Sequence, residues 1–251
     1  MRRLIVVGDC HGTWVELRKL LAKVEADPIK DDIYCTGDAF DRAGPDCAMK
    51  VYEAFKDYNI KYIYGNHDAE LAYKVKNNLQ INKPWYKDWW NSYNQEAKDW
   101  FLQTEQYYYF DCTHKVLLVH AGVDPVIPIE KTDPRTLCTI QCINPRGMGK
   151  PYERMKKDGV NVAYYWTNWL TDDLNNNYKD MSIVFGHTVH WPENHESRYR
   201  RFDKINVSIF NNDWGAVHGG ELACVVFEEN KTYFEAVQSE KDYYWESYGK
   251  K

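Results

Sequence analysis

Five times along this chain a short apolar run breaks off into a polar segment that carries a glycine and an aspartate or histidine. Residues 4–7 (Leu4-Ile5-Val6-Val7) run into Gly8-Asp9-Cys10-His11-Gly12, and residues 33–36 run into Gly37-Asp38-Ala39-Phe40-Asp41-Arg42. Residues 60–64 run into Gly65-Asn66-His67-Asp68, 116–119 into His120-Ala121-Gly122, and 183–185 into Gly186-His187. Apolar runs of that length read as buried strands, and a helical pattern follows each of the first three. In open α/β sheets ligands bind beyond the carboxyl ends of the strands, so these loops are expected to converge on one site.

The helical stretches carry their own signals. Thr13 and Glu16 form a capping-box pattern, and Leu17, Leu20, Leu21 and Val24 then fall on one helical face. Pro45 and Asp46 open a second helix with Ala48, Val51, Tyr52 and Phe55 on its buried stripe, and a third starts near Ala69. Residues 79–106 read as helical and aromatic. The segment 85–110, which holds Trp85, Trp89, Trp90 and Trp100, is assigned mostly to packing, with a substrate-groove wall as the other reading. Strands are predicted at 107–110, 116–119, 183–185 and 205–210, and an antiparallel pair at 222–227 and 232–237 around Glu229-Asn230-Lys231. Five prolines between Asp124 and Tyr152 predict a long loop, and 160–170 a further helix.

With 251 residues the chain is expected to form a single domain over 1–251, because single cores stop growing near ~250–300 residues. With a net charge of -5, no basic surplus points to nucleic acid as an obligate partner. The local run Arg198-Tyr199-Arg200-Arg201 is expected to be a solvated face. Seven scattered cysteines without a CxxC pair predict reduced thiols. The N-terminus enters a strand directly and no segment is apolar enough to span a bilayer, so the expected location is cytoplasmic, away from membranes.

A lone Asp-x-His or Gly-Asp is usually a turn or a helix cap. Packing does not call for His or Asp at five successive strand ends. Carboxylate and imidazole donors together suit Mn²⁺, Fe or Zn²⁺ better than Ca²⁺ or Cu⁺. Asp9 and His11 flank one residue and can point the same way, and Asp38 can bridge two ions through its two oxygens. Two cations ~3.5–4 Å apart clamp a phosphate and lower the pKa of a water from 15.7 towards roughly 7.

In that order the five segments resemble the signature of the phosphoprotein phosphatase family, a branch of the calcineurin-like metallophosphoesterases. The resemblance spans residues 8–187, with a weaker echo at Asp213-Trp214-Gly215-Ala216-Val217 and Gly219-Gly220. It implies an α/β fold of two packed mixed sheets flanked by helices, and a metal-dependent hydrolase of phosphoric esters that uses a metal-bridging hydroxide. It further implies that Asp9, His11 and Asp38 hold one divalent ion and Asp38, Asn66, His120 and His187 a second, with Mn²⁺ the first choice. His67 would protonate the leaving oxygen, oriented by Asp41, while Arg42 would grip the phosphate and Asn66 would face the substrate.

Departures from that signature bear on the substrate. Ala43 stands where the family's Asp-Arg is usually followed by glycine. A second phosphate-binding arginine is expected near Trp166-Thr167-Asn168 and is missing there, which leaves either Arg146 as a replacement from the loop or a site that uses one arginine. His190 falls one residue late for the Gly-His-x-His of exonuclease-like relatives and is assigned to the surface or to the surroundings of the metals; His114, His195 and His218 are assigned structural or exposed places. The favoured substrate is a phosphoserine or phosphothreonine protein, as in small bacterial and phage phosphatases. The alternative is a nucleotide: a dinucleoside polyphosphate such as diadenosine tetraphosphate, or a nucleotide or RNA end. A decayed non-enzymatic scaffold is disfavoured, since every ligand position holds a competent side chain.

Overall fold

The computed structural model describes residues 2–124, 127–140, 177–189 and 198–249. Its strands divide their apolar side chains between two faces. In β1 (Arg3–Val7), Ile5 and Val7 join a core shared with helices, while Leu4 and Val6 join a core between the two sheets. β5 (Val116–Val119) repeats this, with Val116 and Leu118 between the sheets and Leu117 and Val119 on the far side. So does β10 (Glu221–Glu228), with Val225 and Phe227 against Cys224 and Val226. Burial on both faces is why such strands read as unbroken apolar runs.

One sheet places β1 between β10 and β2 (Asp31–Cys35), with β3 (Lys61–Tyr62) beyond β2 and β11 (Lys231–Gln238) beyond β10; β9 (Asp213–Trp214) also pairs with β10. β1, β2 and β3 run parallel; β10 runs antiparallel to β1, with Leu4 opposite Phe227. The other sheet runs β4 (Tyr108–Asp111), β5, β6 (Ser182–Phe185), β8 (Val207–Asn211), β7 (Tyr199–Phe202), parallel in its centre and antiparallel at both edges. These are the two mixed sheets expected of the α/β class.

Helices α1 (Trp14–Lys23), α2 (Cys47–Asp57), α3 (Asn66–Lys76), α4 (Pro84–Ser92) and α5 (Gln95–Gln103) cover the first sheet. Most of the aromatic segment is core: Tyr86, Trp89 and Phe101 are fully buried. Phe40, from the loop after β2, packs its ring 5.2 Å from Phe55 and 5.4 Å from Trp89. The aromatics thus fix the loop that carries Asp38 and Asp41.

Several local expectations fail for identifiable reasons. Thr13 makes no side-chain cap; its hydroxyl donates to Cys10 O at 2.6 Å instead. Glu16 is fully buried and accepts hydrogen bonds from Tyr243 Oη and Glu240 N, near and in α7 (Tyr243–Tyr248). β3 is shorter than predicted, and α3 begins at Asn66, not Ala69. The proline-rich segment contains α6 (Pro134–Thr139), with Pro134 in the first turn, where its missing N–H costs no hydrogen bond. The arginine run is not simply solvated: Arg198 is buried over the Trp214 ring with Glu221 at 3.2 Å, and Tyr199–Phe202 is edge strand β7. The predicted helix at 160–170, Arg146, Trp166-Thr167-Asn168, His190 and His195 lie outside the described residues. Among the described residues no helix is long and apolar enough to cross a membrane, and all six cysteines are free.

Candidate metal centre

The five loops meet because backbone N–H groups of one donate to carbonyls or carboxylates of another. His11 N donates to Asp38 O and Gly12 N to Ala39 O, each at 2.9 Å, tying the first loop to the second. Asp68 Oδ2 accepts from Asp38 N and from Gly65 N, both at 2.8 Å, tying the second to the third. Gly186 N donates to His120 O at 2.7 Å, and His187 N to Asp9 Oδ2 at 3.0 Å, closing the ring back to the first. The packing is tight enough to demand glycine: a Cβ on Gly186 would lie 2.0 Å from Asp9 Oδ1, and one on Gly65 2.1 Å from Asp38 Oδ1. His11, Asp38, Arg42 and His187 all adopt positive φ, between 44° and 74°. That region is uncommon for side-chain-bearing residues and clusters at functional sites.

Two groups of donor atoms result, each within 4.8 Å: His11, Asp38 and His67, and Asp38, His120 and His187. Asp38 belongs to both. Asn66 Oδ1 joins the second group, 2.9 Å from His187 Nδ1 and 3.1 Å from His120 Nε2. The first group differs from the expected set. His67 stands in it, whereas Asp9 turns its oxygens to His187 N and the Thr36 hydroxyl.

Asp41 lies beneath the two outer histidines. Its Oδ1 takes His11 Nδ1–H at 2.6 Å and its Oδ2 takes His67 Nδ1–H. Burial would raise Asp41, but His67 and His11 outweigh it and hold its carboxyl below the ordinary value. Both Nε2 atoms then face the cavity, 3.9 Å from Asp38 Oδ2. Arg42 Nη2–H donates to His67 Nε2 at 2.8 Å, and Nη1 lies 3.5 Å from His11 Nε2. A guanidinium only donates, so His67 here carries its proton on Nδ1.

The donor chemistry fits divalent cations. His120 Nδ1–H donates to Thr36 O at 2.9 Å, which leaves Nε2 facing Asp38 Oδ2 at 3.4 Å and Asn66 Oδ1 at 3.1 Å. In a neutral His120 these three atoms all carry lone pairs, and either a proton or a cation must lie among them. Burial lowers His120, yet the carboxylate of Asp38 overcomes it and raises the ring. Burial, then Arg42, pulls His11 down to about 4; burial, then His120, pulls His187 down to about 3. Both are neutral near pH 7, the form a metal binds. Burial and the neighbouring Asp213 and Asp38 push Asp9 well above its usual value, and Asp213 is itself pushed up to about 6, by burial first. Burial also works against Asp38, but His67 and His120 outweigh it and hold its carboxyl well below the usual value, so the uncompensated negative charge lies with Asp9 and Asp213.

The cavity above the cluster holds about 110 Å³. Two of its walls, Asp213 and His218, were not assigned to the site from sequence. Asp213 belongs to the weak motif echo, and its position just ahead of Gly215 and Gly219-Gly220 was the available signal. His218 had none: its place follows from packing against Tyr244, 5.4 Å between ring centroids. His114, in contrast, is the structural residue expected, bonded to Asp111 at 2.9 Å.

The sequence profile of the calcineurin-like phosphoesterases matches residues 2–224, and the chain belongs to that family. It is 36% identical over 132 residues to a symmetrical bis(5'-nucleosyl)-tetraphosphatase of Photorhabdus laumondii, which covers 50% of this chain and 46% of that protein. The corresponding protein of Shewanella oneidensis is 31% identical over 149 residues, 55% of this chain and 50% of that one. The chain thus spans about half the length of the curated relatives it matches. A crystal structure provisionally assigned as a diadenosine tetraphosphatase superposes with a TM-score of 0.70 at 22% identity, over 95% of this chain and 94% of the other. A protein serine/threonine phosphatase of Saccharomyces cerevisiae superposes with a TM-score of 0.56 at 13% identity, over 95% and 80%. These two likenesses show a shared fold.

Proposed function

We propose that this calcineurin-like phosphoesterase hydrolyses dinucleoside polyphosphates, with diadenosine tetraphosphate as the model substrate, using two divalent cations. The observation that carries the substrate class is the named activity of the curated relatives, symmetrical bis(5'-nucleosyl)-tetraphosphatases. The phosphoprotein substrate favoured from sequence is displaced to second place, because the likeness to a serine/threonine phosphatase reported above supports a shared fold alone.

Asp9, His11 and Asp38 would hold one cation, and Asp38, Asn66, His120 and His187 the other, with Mn²⁺ the first to supply given the mixed imidazole and carboxylate donors. When bound, the pair supplies Lewis acidity, lowering the pKa of water and offsetting phosphate charge. Arg42 grips the phosphoryl oxygens through its planar fork. As Arg42 turns to the phosphate it leaves His67 Nε2, which then takes up the proton it delivers. Water oxygen bonds to phosphorus and releases one proton to solvent, the bridging P–O bond breaks, and its electron pair departs with the leaving oxygen, which receives the proton that His67 Nε2 has taken from solvent. Asp41 holds the resulting ring in orientation.

The test compares kcat/KM for diadenosine tetraphosphate and for a phosphothreonine peptide at one Mn²⁺ concentration. A dinucleotide preference of ~100-fold or more, about 2.7 kcal/mol in transition-state binding, with ADP as the product, is expected. A preference for the peptide restores the protein-phosphatase reading.

A further inference from the structure

A second, larger depression of about 590 Å³ begins at Asn66 and runs along α3 away from the metal centre. Asn66, Ala69, Tyr73 and Lys76 lie on one face of that helix at spacings of three and four. At 1.5 Å per residue, Tyr73 sits about 10 Å along the axis from Asn66. The floor is made of the small side chains Ala69 and Ala72, which leave room for a flat group. Tyr73 is 55% exposed, a large ring without a packing role. Arg135, on α6, forms the opposite wall.

The charges in the groove are arranged to tolerate an anion. Glu70 is paired with Lys83 at 2.6 Å, Glu105 with Lys76 and the Tyr107 hydroxyl, and Asp133 accepts from Arg135 N at 2.8 Å. Glu70 and Glu105 have lysine partners and Asp133 a backbone N–H, whereas the Arg135 guanidinium has no ion pair among the described residues. Both helical walls spend their backbone groups on internal hydrogen bonds, so an extended peptide finds no main-chain ladder there.

We infer that this groove seats one nucleoside 5'-diphosphate arm of the substrate: the base stacks on Tyr73 and Arg135 attracts the phosphate chain that leads to Asn66. The inference rests on the dinucleotide reading above, and it adds residues that no family motif contains. Stacking on an aromatic ring contributes enough that its removal weakens binding about tenfold or more per base.

The experiment measures ADP and inorganic phosphate as competitive inhibitors of p-nitrophenyl phosphate hydrolysis by the Mn²⁺-loaded protein, and ADP binding by calorimetry. Tyr73→Ala is expected to raise the ADP inhibition constant about tenfold relative to that of phosphate, with the same loss in the calorimeter. Tyr73→Phe should keep the wild-type ratio, and Arg135→Ala should weaken ADP more than phosphate. An unchanged ratio in Tyr73→Ala overturns the groove. So does a loss confined to a phosphothreonine peptide, which assigns the same surface to protein substrates. Failure to cleave diadenosine tetraphosphate while the ADP ratio still shifts overturns the dinucleotide reading and leaves a nucleotide-binding groove standing.

Discussion

The metal centre and the α3–α6 groove both start at Asn66, yet they are held in opposite ways. In the centre the functional side chains are buried or partly buried and are held by hydrogen bonds between loops, as Asp38 is through His67 N and His67 through Asp41. In the groove the side chains project from regular helices, and the polar links between them are ion pairs at the surface such as Lys83–Glu70, whose partners are 41% and 36% exposed. The centre is a site whose geometry precedes its ligand. The groove is a surface whose residues can be exchanged without disturbing their neighbours, so substrate range can change there while the chemistry is preserved.

The strongest way to sharpen that contrast is Asp38→Asn. An amide bridges two cations poorly, so metal content by elemental analysis should fall. Turnover should drop on the order of 10⁴-fold, about 5.4 kcal/mol of transition-state stabilisation. Stripping the wild type with a chelator should match that loss, and full turnover without metal would break the two-cation reading.

His67→Asn is next. With a true proton donor removed, kcat on an alkyl phosphoester should fall ~10²–10⁴-fold, and less on p-nitrophenyl phosphate, whose leaving group needs little protonation. Metal content separates the two roles open to this residue, since His67 also lies within the first donor group. Retained metal marks the donor; lost metal moves His67 among the ligands.

The smallest effect belongs to the groove's surface. Glu105→Gln removes the partner of Lys76 and should change stability by no more than ~1 kcal/mol in a denaturant titration, because exposed ion pairs are screened. A loss of several kcal/mol would mean that the groove is as tightly built as the centre, and would erase the comparison.

The same contrast explains what could be read in advance. Asp9, His11, Asp38, Asn66, His67, His120 and His187 could be picked out because the metal chemistry proposed for them restricts the residue type at each strand end, and the strands themselves announce where those ends fall. Glu16 was misread as a cap because its partner, Tyr243, lies at the other end of the sequence, and no local pattern records a contact of that range. α6 was hidden by its prolines, which suit a first turn as well as a loop. Tyr73 and His218 were invisible for a different reason: an aromatic residue on a helix reads as core, and only the tertiary packing leaves one exposed and puts the other against the cavity.

β1 is the middle of its sheet, flanked by β2 from the start of the chain and by β10 from near its end, with Leu4 paired to Phe227. That register has a kinetic meaning. Gly8 N donates to Ala223 O, so the first catalytic loop is anchored by residues that leave the ribosome long after it. Until they arrive, one edge of β1 is unpaired, and the chain carries an apolar strand with a free hydrogen-bonding rim. Closing so long a loop is entropically slow, and the nascent protein passes through an interval in which self-association competes with completion of the sheet.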